Sequence, residues 1–399
     1  MSPPEHDRPD LRALALPELQ RRLAGWNEPA FRAAQILAWL YQHPVEDWEA
    51  MTNLPRRLRA RLAAEFSVTL PVLTAVRGSC DATTKFLWRL RDGALVESVL
   101  IPASEALYGE ASDRHTLCVS TQVGCAYGCR FCASGLDGFR RNLGVEEIVG
   151  QVLAVERWWR SKAAMDPRPL EASPHGVPAD LPRDAAPSRI VNNLVIMGMG
   201  EPLANYENLL RALRILNAPW GGGIGARKIT VSTSGLAPQI RRLAEEPEQF
   251  RLAVSLHAAT DAVRDRLMPV NRRHPLAGLL AACDHYIRCK GRIITLEYIL
   301  ISNINDGSDQ AMGLAQIARR LGAKINLIPY NRVEGLPWER PNAAVAETFQ
   351  AILLRHGVQA TLRREKGGDI EAACGQLRLQ VEHAAKEAPA VGAAGGRVG

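Results

Sequence analysis

The chain has 399 residues, 47% of them hydrophobic, so it is long enough for two to three domains and can bury a sizeable core. A net charge of +7 is a mild basic bias, compatible with a polyanionic partner. No apolar run approaches the roughly 18 residues a membrane helix needs, and the polar start MSPPEHDRPD does not read as a signal peptide. These features exclude a membrane helix and point to the reducing cytoplasm, where eight cysteines signify metal or catalysis rather than structural disulfides.

Residues 11–66 read as helical. Pro17 suits a first helical turn, and Phe31, Ile36, Leu37 and Leu40 have helical spacing. Arg56, Arg57, Arg59 and Arg61 stud the next helix around Leu54, Leu58 and Leu62. That pattern fits either a solvated basic face or a phosphate-binding surface. Two strands, 85–90 and 94–101, flank the turn signal Asp92-Gly93 and predict a β-hairpin.

From about residue 115 strands and helices alternate. Strands are expected at 116–120, 191–197, 228–232, 252–257, 293–301 and 324–329, with an apolar helical stripe at Ile148, Val152, Val155 and Trp159. Six such units predict an α/β fold with a parallel sheet, a partial (β/α)6 barrel. Residues 161–188, rich in Pro, Ala and Asp, read as a flexible insertion. The chain therefore divides into an N-terminal helical domain (1–70), a β-extension (71–110), a barrel (111–384) and a disordered tail (385–399).

The stretch GCAYGCRFCASG holds Cys125, Cys129 and Cys132. Three thiolates are one short of a closed zinc site or a fully ligated four-iron cluster. A [4Fe-4S] cluster held by three thiolates keeps one iron open to a substrate or cofactor. With Phe131 before the last cysteine, this spacing matches a radical S-adenosylmethionine (AdoMet) loop. The alternatives are a zinc site completed by a distant ligand, or buried thiols. Polar residues recur at the expected strand ends, where barrel chemistry gathers: Gly200 and Glu201 in GMGEP, Ser232 in STSG, Ser255 and His257 in SLHA, and Asn331. The run Gly221–Gly225 lacks the Gly-Lys-Ser/Thr of a phosphate loop and reads as an ordinary loop. Cys118, in a strand, and Cys374, in GGDIEAACGQL, are extra to the cluster loop. Cys80, Cys283 and Cys289 read as buried core thiols.

Together these segments resemble the RlmN/Cfr family of RNA adenosine methyltransferases. EPAFRAAQILAWLYQ and MTNLP are similar to its N-terminal domain, and LVESVLIP to its β-extension. CVSTQVGCAYGCRFCASG, GMGEP, STSG, SLHA, MPVN and GGDIEAACGQL are similar to its barrel motifs. The resemblance implies two AdoMet molecules per turnover. One methylates Cys374. The other is cleaved reductively at the cluster, giving a radical that takes a hydrogen from methyl-Cys374; the carbon then adds to adenine. Glu97 corresponds to the general base that removes the ring proton. Cys118 then resolves the enzyme–RNA crosslink by forming a disulfide with Cys374. Gly200, Glu201, Ser232, Ser255, Leu256, His257 and Asn331 are implied to contact AdoMet. Implied partners are 23S rRNA at the peptidyl-transferase loop, tRNA beside the anticodon, and a flavodoxin-like or other low-potential electron donor; the enzyme is implied to be a monomer. Unpaired loop adenosines are the ones most easily extruded into an interior site. The Ala126-Tyr127-Gly128 interior of the loop resembles the carbon-2 methylating members. A Cfr-type carbon-8 enzyme is the near alternative. A zinc-stabilised, non-catalytic RNA-binding protein is the remote one, and it leaves Glu97, GMGEP and Cys374 without purpose.

Overall fold

The computed structural model describes residues 8–79, 82–103, 112–165, 189–363 and 376–387. Three short helices open it: α1 (Leu16–Ala24), α2 (Phe31–Leu37) and α3 (Arg56–Glu65). Pro17 lies in the first turn of α1, and the Glu18 carboxylate accepts from the Ala15 N–H at 2.8 Å, closing that helix start. Leu19, Leu23, Ile36, Leu40, Leu58 and Leu62 are buried, as their helical spacing requires.

The basic face of α3 differs from expectation. Arg59 is turned inward, pairing with the Glu49 carboxylate at 3.1 Å and donating to the Glu49 carbonyl. Arg61 lies over the Trp26 ring at 4.6 Å. Arg56, Arg57 and Arg61 remain exposed, Arg61 also pairing with Glu65 at 3.7 Å.

A ten-stranded sheet forms the body. Its antiparallel part is β1 (Val72–Gly78), β2 (Thr84–Arg89), β3 (Leu95–Pro102) and β4 (His115–Cys118). From β4 onward it runs parallel through β7 (Asn193–Ile196), β8 (Ile229–Thr233), β9 (Arg251–Ser255), β10 (Thr295–Leu300), β11 (Lys324–Pro329) and β12 (Ala360–Leu362). A separate hairpin, β5 (Gln122–Gly124) and β6 (Phe139–Asn142), brackets the cysteine loop. All six expected strands are present. Four more, β1, β5, β6 and β12, were not foreseen. Edge strand β1 has no buried residue to set an alternation, and β12 is only three residues long.

Six helices make the outer layer: α4 (Val145–Met165), α5 (Tyr206–Asn217), α6 (Ala237–Glu245), α8 (Leu276–Lys290), α9 (Ser308–Leu321) and α10 (Ala343–Arg355). A shorter helix, α7 (Asp261–Leu267), follows β9, and α11 (Gln376–Glu387) ends the described chain. Helix α4 continues to Met165, past the expected start of the insertion; 166–188 lie outside the described residues. Helix α11 likewise continues to Glu387, past the expected start of the tail.

The strand register sorts side chains into two faces. Leu117, Leu194, Ile196, Ile229, Val231, Leu252, Val254, Leu296, Tyr298, Ile325 and Leu327 are buried and lie on one face. Ser98 lies on that face too, bonded to Gln151 of α4, so it is the face under the helices. The opposite face carries Lys85, Glu97, Cys118, Ser232, Ser255, Glu297 and Asn326. A parallel sheet covered on both sides is normally apolar on both. Here the inner face is polar, the mark of a lumen built for chemistry.

GGGIG is a loop, as expected. The Gly221 and Gly222 carbonyls accept from Arg189 at 2.6 and 2.5 Å, and the same guanidinium bonds the Tyr41 carbonyl at 3.1 Å. The loop thus fastens the N-terminal helices to the barrel.

Candidate active site

The cysteine loop, GMGEP, STSG, SLHA and Asn331 all follow the C-terminal ends of parallel strands, or the hairpin after β4, and so gather at one mouth of the lumen. At the loop's base Gly124 has φ +75, and a Cβ there would lie 1.9 Å from the Gly138 carbonyl oxygen; only glycine fits. The Cys125 N–H donates to Gly138 at 3.0 Å. Further on, the Arg130 N–H donates to the Leu267 carbonyl at 2.9 Å, and the Trp338 indole donates to the Arg130 carbonyl at 2.6 Å. Phe131 stands edge-on to His257 with ring centroids 4.9 Å apart.

The three thiols are half-buried. Burial pushes the Cys125 thiol up to about 11, and burial together with Cys132 and Cys125 pushes Cys129 higher still. Only Arg264 opposes this at Cys129. Converging thiols that resist ionisation suit a cationic metal centre, which supplies the charge that makes thiolates stable. Among the described residues, the one trio of ligand side chains with all donor atoms within 4.8 Å lies elsewhere. At least two of the loop's sulfurs therefore lie more than 4.8 Å apart.

In GMGEP the glycines permit close strand contact. A Cβ on Gly198 would meet the Ser120 nitrogen at 2.7 Å, and one on Gly200, at φ +101, would meet Gln122 Cβ at 2.5 Å. The buried Glu201 carboxylate accepts from the Leu203 N–H at 3.0 Å and the Ser234 N–H at 2.6 Å, tying GMGEP to STSG. Burial raises its pKa against the pull of those donors.

His257 is buried at φ +59, in the left-handed region. Its Nδ1 accepts from the Ile299 N–H at 3.0 Å, and burial, with Arg264 nearby, pushes its pKa down to about 3. The ring is neutral and carries its proton on Nε2. Ser232 and Ser255 line the inner face, and Leu256 is buried beside them with its N–H on the Glu297 carbonyl at 3.0 Å. Asn331 is half-buried and accepts from Arg340 at 3.5 Å.

Sequence reasoning missed four groups here. Arg264 is fully buried and donates to the Leu256 carbonyl (3.0 Å), the Ser234 carbonyl (2.6 Å) and Asn271 Oδ1 (2.8 Å), joining STSG, SLHA and MPVN. Lys85 Nζ lies 3.1 Å from Glu97 Oε2, both fully buried. The Arg378 N–H, in the first turn of α11, donates to Glu97 Oε1 at 2.6 Å. Only the inward Glu297–Asn326 pair, 2.7 Å apart, had a readable signal, the alternation in LEYIL and KINLIP.

Cys118 is buried on the same inner face as Glu97; its partner across the strands is Val99, two residues from Glu97. Cys374 and Cys80 lie outside the described residues. Cys283 is buried as expected, but Cys289 is exposed, because the end of α8 turns it from the core.

A partial barrel with a polar lumen and a three-cysteine loop at its mouth defines a radical AdoMet enzyme. The comparisons agree. A radical SAM superfamily model matches residues 183–314, and a ribosomal RNA large subunit methyltransferase N-terminal domain model matches 9–68. A radical SAM methyltransferase from Sphaerobacter thermophilus superposes with a TM-score of 0.80 at 43% identity, covering 92% of this chain and 98% of that one. A probable dual-specificity RNA methyltransferase RlmN 3 of Opitutus terrae is 50% identical, covering 94% of this chain and 96% of its own. The dual-specificity RNA methyltransferase RlmN of Anaeromyxobacter dehalogenans is 45% identical over 94% and 93%. The chain belongs to the RlmN family of radical SAM methyltransferases.

Proposed function

We propose that the protein methylates carbon 2 of an unpaired adenosine in 23S rRNA and of one beside the anticodon in tRNA, with two AdoMet molecules per turnover. The names of its close relatives, dual-specificity RNA methyltransferases, support an RNA substrate. Cys125, Cys129 and Cys132 would hold the [4Fe-4S] cluster. Bound there, cluster and AdoMet supply the methyl group and the hydrogen-abstracting radical that an unreactive aromatic carbon demands. Gly200, Glu201, Ser232, Ser255, Leu256, His257 and Asn331 would seat AdoMet at the lumen mouth. A low-potential donor such as a flavodoxin would supply electrons, and the enzyme would act as a cytoplasmic monomer.

The protein's own groups divide the remaining work. Cys374 carries the carbon. Glu97 accepts the ring proton. Cys118 attacks the Cys374 sulfur, the sulfur–carbon bond breaks with its electron pair left on the adenine-bound carbon, and that carbon takes up a proton as the disulfide forms and the product departs. The observation that carries this reading is the bond from the Arg378 N–H to Glu97. Cys374 lies only four residues before Arg378 in the sequence, which supports assigning it to the same chemistry as Glu97 and Cys118.

Mass spectrometry of nucleosides from rRNA and tRNA treated with the reconstituted enzyme tests the proposal. 2-Methyladenosine in both RNAs is expected. 8-Methyladenosine would favour the Cfr-type reaction, and unmodified tRNA would restrict the enzyme to rRNA.

A further inference from the structure

Away from the lumen, the described residues hold one compact set of metal-ligating side chains: Glu245, His285 and Cys289. Glu245 is the last residue of α6, while His285 and Cys289 lie one turn apart near the end of α8. Helix α6 begins just after the C-terminal end of β8, so its far end, with Glu245, points away from the lumen mouth. We propose that these residues form a second metal site, separate from the reaction, that binds one divalent ion of the zinc type and fastens α6 to α8.

Spacing of i, i+4 puts His285 and Cys289 on one helix face. The Cys289 sulfur lies 3.6 Å from His285 Nε2 and 3.8 Å from Glu245 Oε1. Metal–ligand bonds of about 2.0–2.3 Å in a tetrahedron separate the donor atoms by roughly 3.3–3.6 Å, so the sulfur is already close to its place. The third edge, His285 Nε2 to Glu245 Oε1, is a 2.6 Å hydrogen bond. It must open by less than about 1 Å, and Glu245, 68% exposed, can move freely. One thiolate, one imidazole and one carboxylate form a mixed donor set that suits zinc, with the fourth position left to water. The neighbouring cation does not compete. Lys290 directs its ammonium to the carbonyls of Glu246 and Glu248, leaving the Glu245 carboxylate to face His285 and Cys289.

The test uses the holoenzyme with its iron cluster reconstituted, stripped of loose metal and dialysed anaerobically against buffered micromolar zinc. Metal analysis should find one zinc per chain with iron content unchanged, and the melting temperature should rise. X-ray absorption at zinc should show one sulfur among nitrogen and oxygen ligands. Loss of an outer-shell partner alone weakens metal sites about 10- to 100-fold. Cys289→Ser and His285→Ala should each weaken zinc binding more than about tenfold, while iron content and RNA methylation stay at wild-type levels. No retained zinc, a shell of two or three sulfurs, or equal zinc in a Cys289→Ser/His285→Ala double variant would overturn the site. The trio would then be a His–Glu pair beside a bystander thiol.

Discussion

A buried histidine and a buried ion pair set different demands at the lumen. His257 is neutral because burial holds its pKa near 3, below the ordinary 6.5. The unfolded chain takes up that proton first, so stability rises with pH between the two values. The contribution is complete above about pH 6.5 and is lost as pH falls toward 3. Between pH 7 and pH 5 the wild type should lose roughly 2 kcal/mol more than His257→Asn, a residue that tolerates positive φ. Urea titrations of both proteins at the two pH values measure this. Glu97 and Lys85 form a pair in which each is the other's buried counter-ion. Lys85→Met should cost about 3–5 kcal/mol by removing the cationic partner of a buried carboxylate. Adding Glu97→Gln should recover most of that stability, read by thermal melting. If the double variant melts no higher than Lys85→Met, the pairing does not stabilise the fold as described.

At the scale of elements, local patterns were readable and long-range partners were not. The cysteine spacing, Asp92-Gly93 and the polar strand ends each speak within a few residues, and the loop, hairpin and lumen mouth follow from them. Arg378 meets Glu97 across 281 residues of sequence, and nothing beside either residue announces it. Arg264 is similar: a charged residue in a seven-residue helix reads as surface, yet it is fully buried against three motifs. The α3 arginines illustrate the opposite error. Four cations in six residues look like one face, but the helix turns Arg59 inward to Glu49. RNA binding should separate them. Arg56→Ala/Arg57→Ala should flatten the plot of log K against log salt by about one to two units, at roughly 0.7–0.9 per phosphate lost, with the fold intact. Arg59→Ala should instead lower the melting temperature. An unchanged salt slope in the double variant would return α3 to a merely solvated surface.

For the whole molecule, the α/β architecture was legible because strands with helical spacers in regular alternation admit few arrangements. Less legible was why the sheet's inner face is polar, since that depends on register between strands distant in sequence. That register puts Cys118 on the same inner face as Glu97, one strand from β7, which leads into GMGEP. In the proposed reaction the protein's own thiols carry and release the transferred carbon. Incubation of purified Cys118→Ala with RNA, AdoMet and reductant, read on a denaturing gel before and after nuclease, tests it most directly. A slow-migrating, nuclease-sensitive enzyme–RNA adduct is expected, and it should disappear in Cys118→Ala/Cys374→Ala. Normal turnover by Cys118→Ala with no adduct would contradict it.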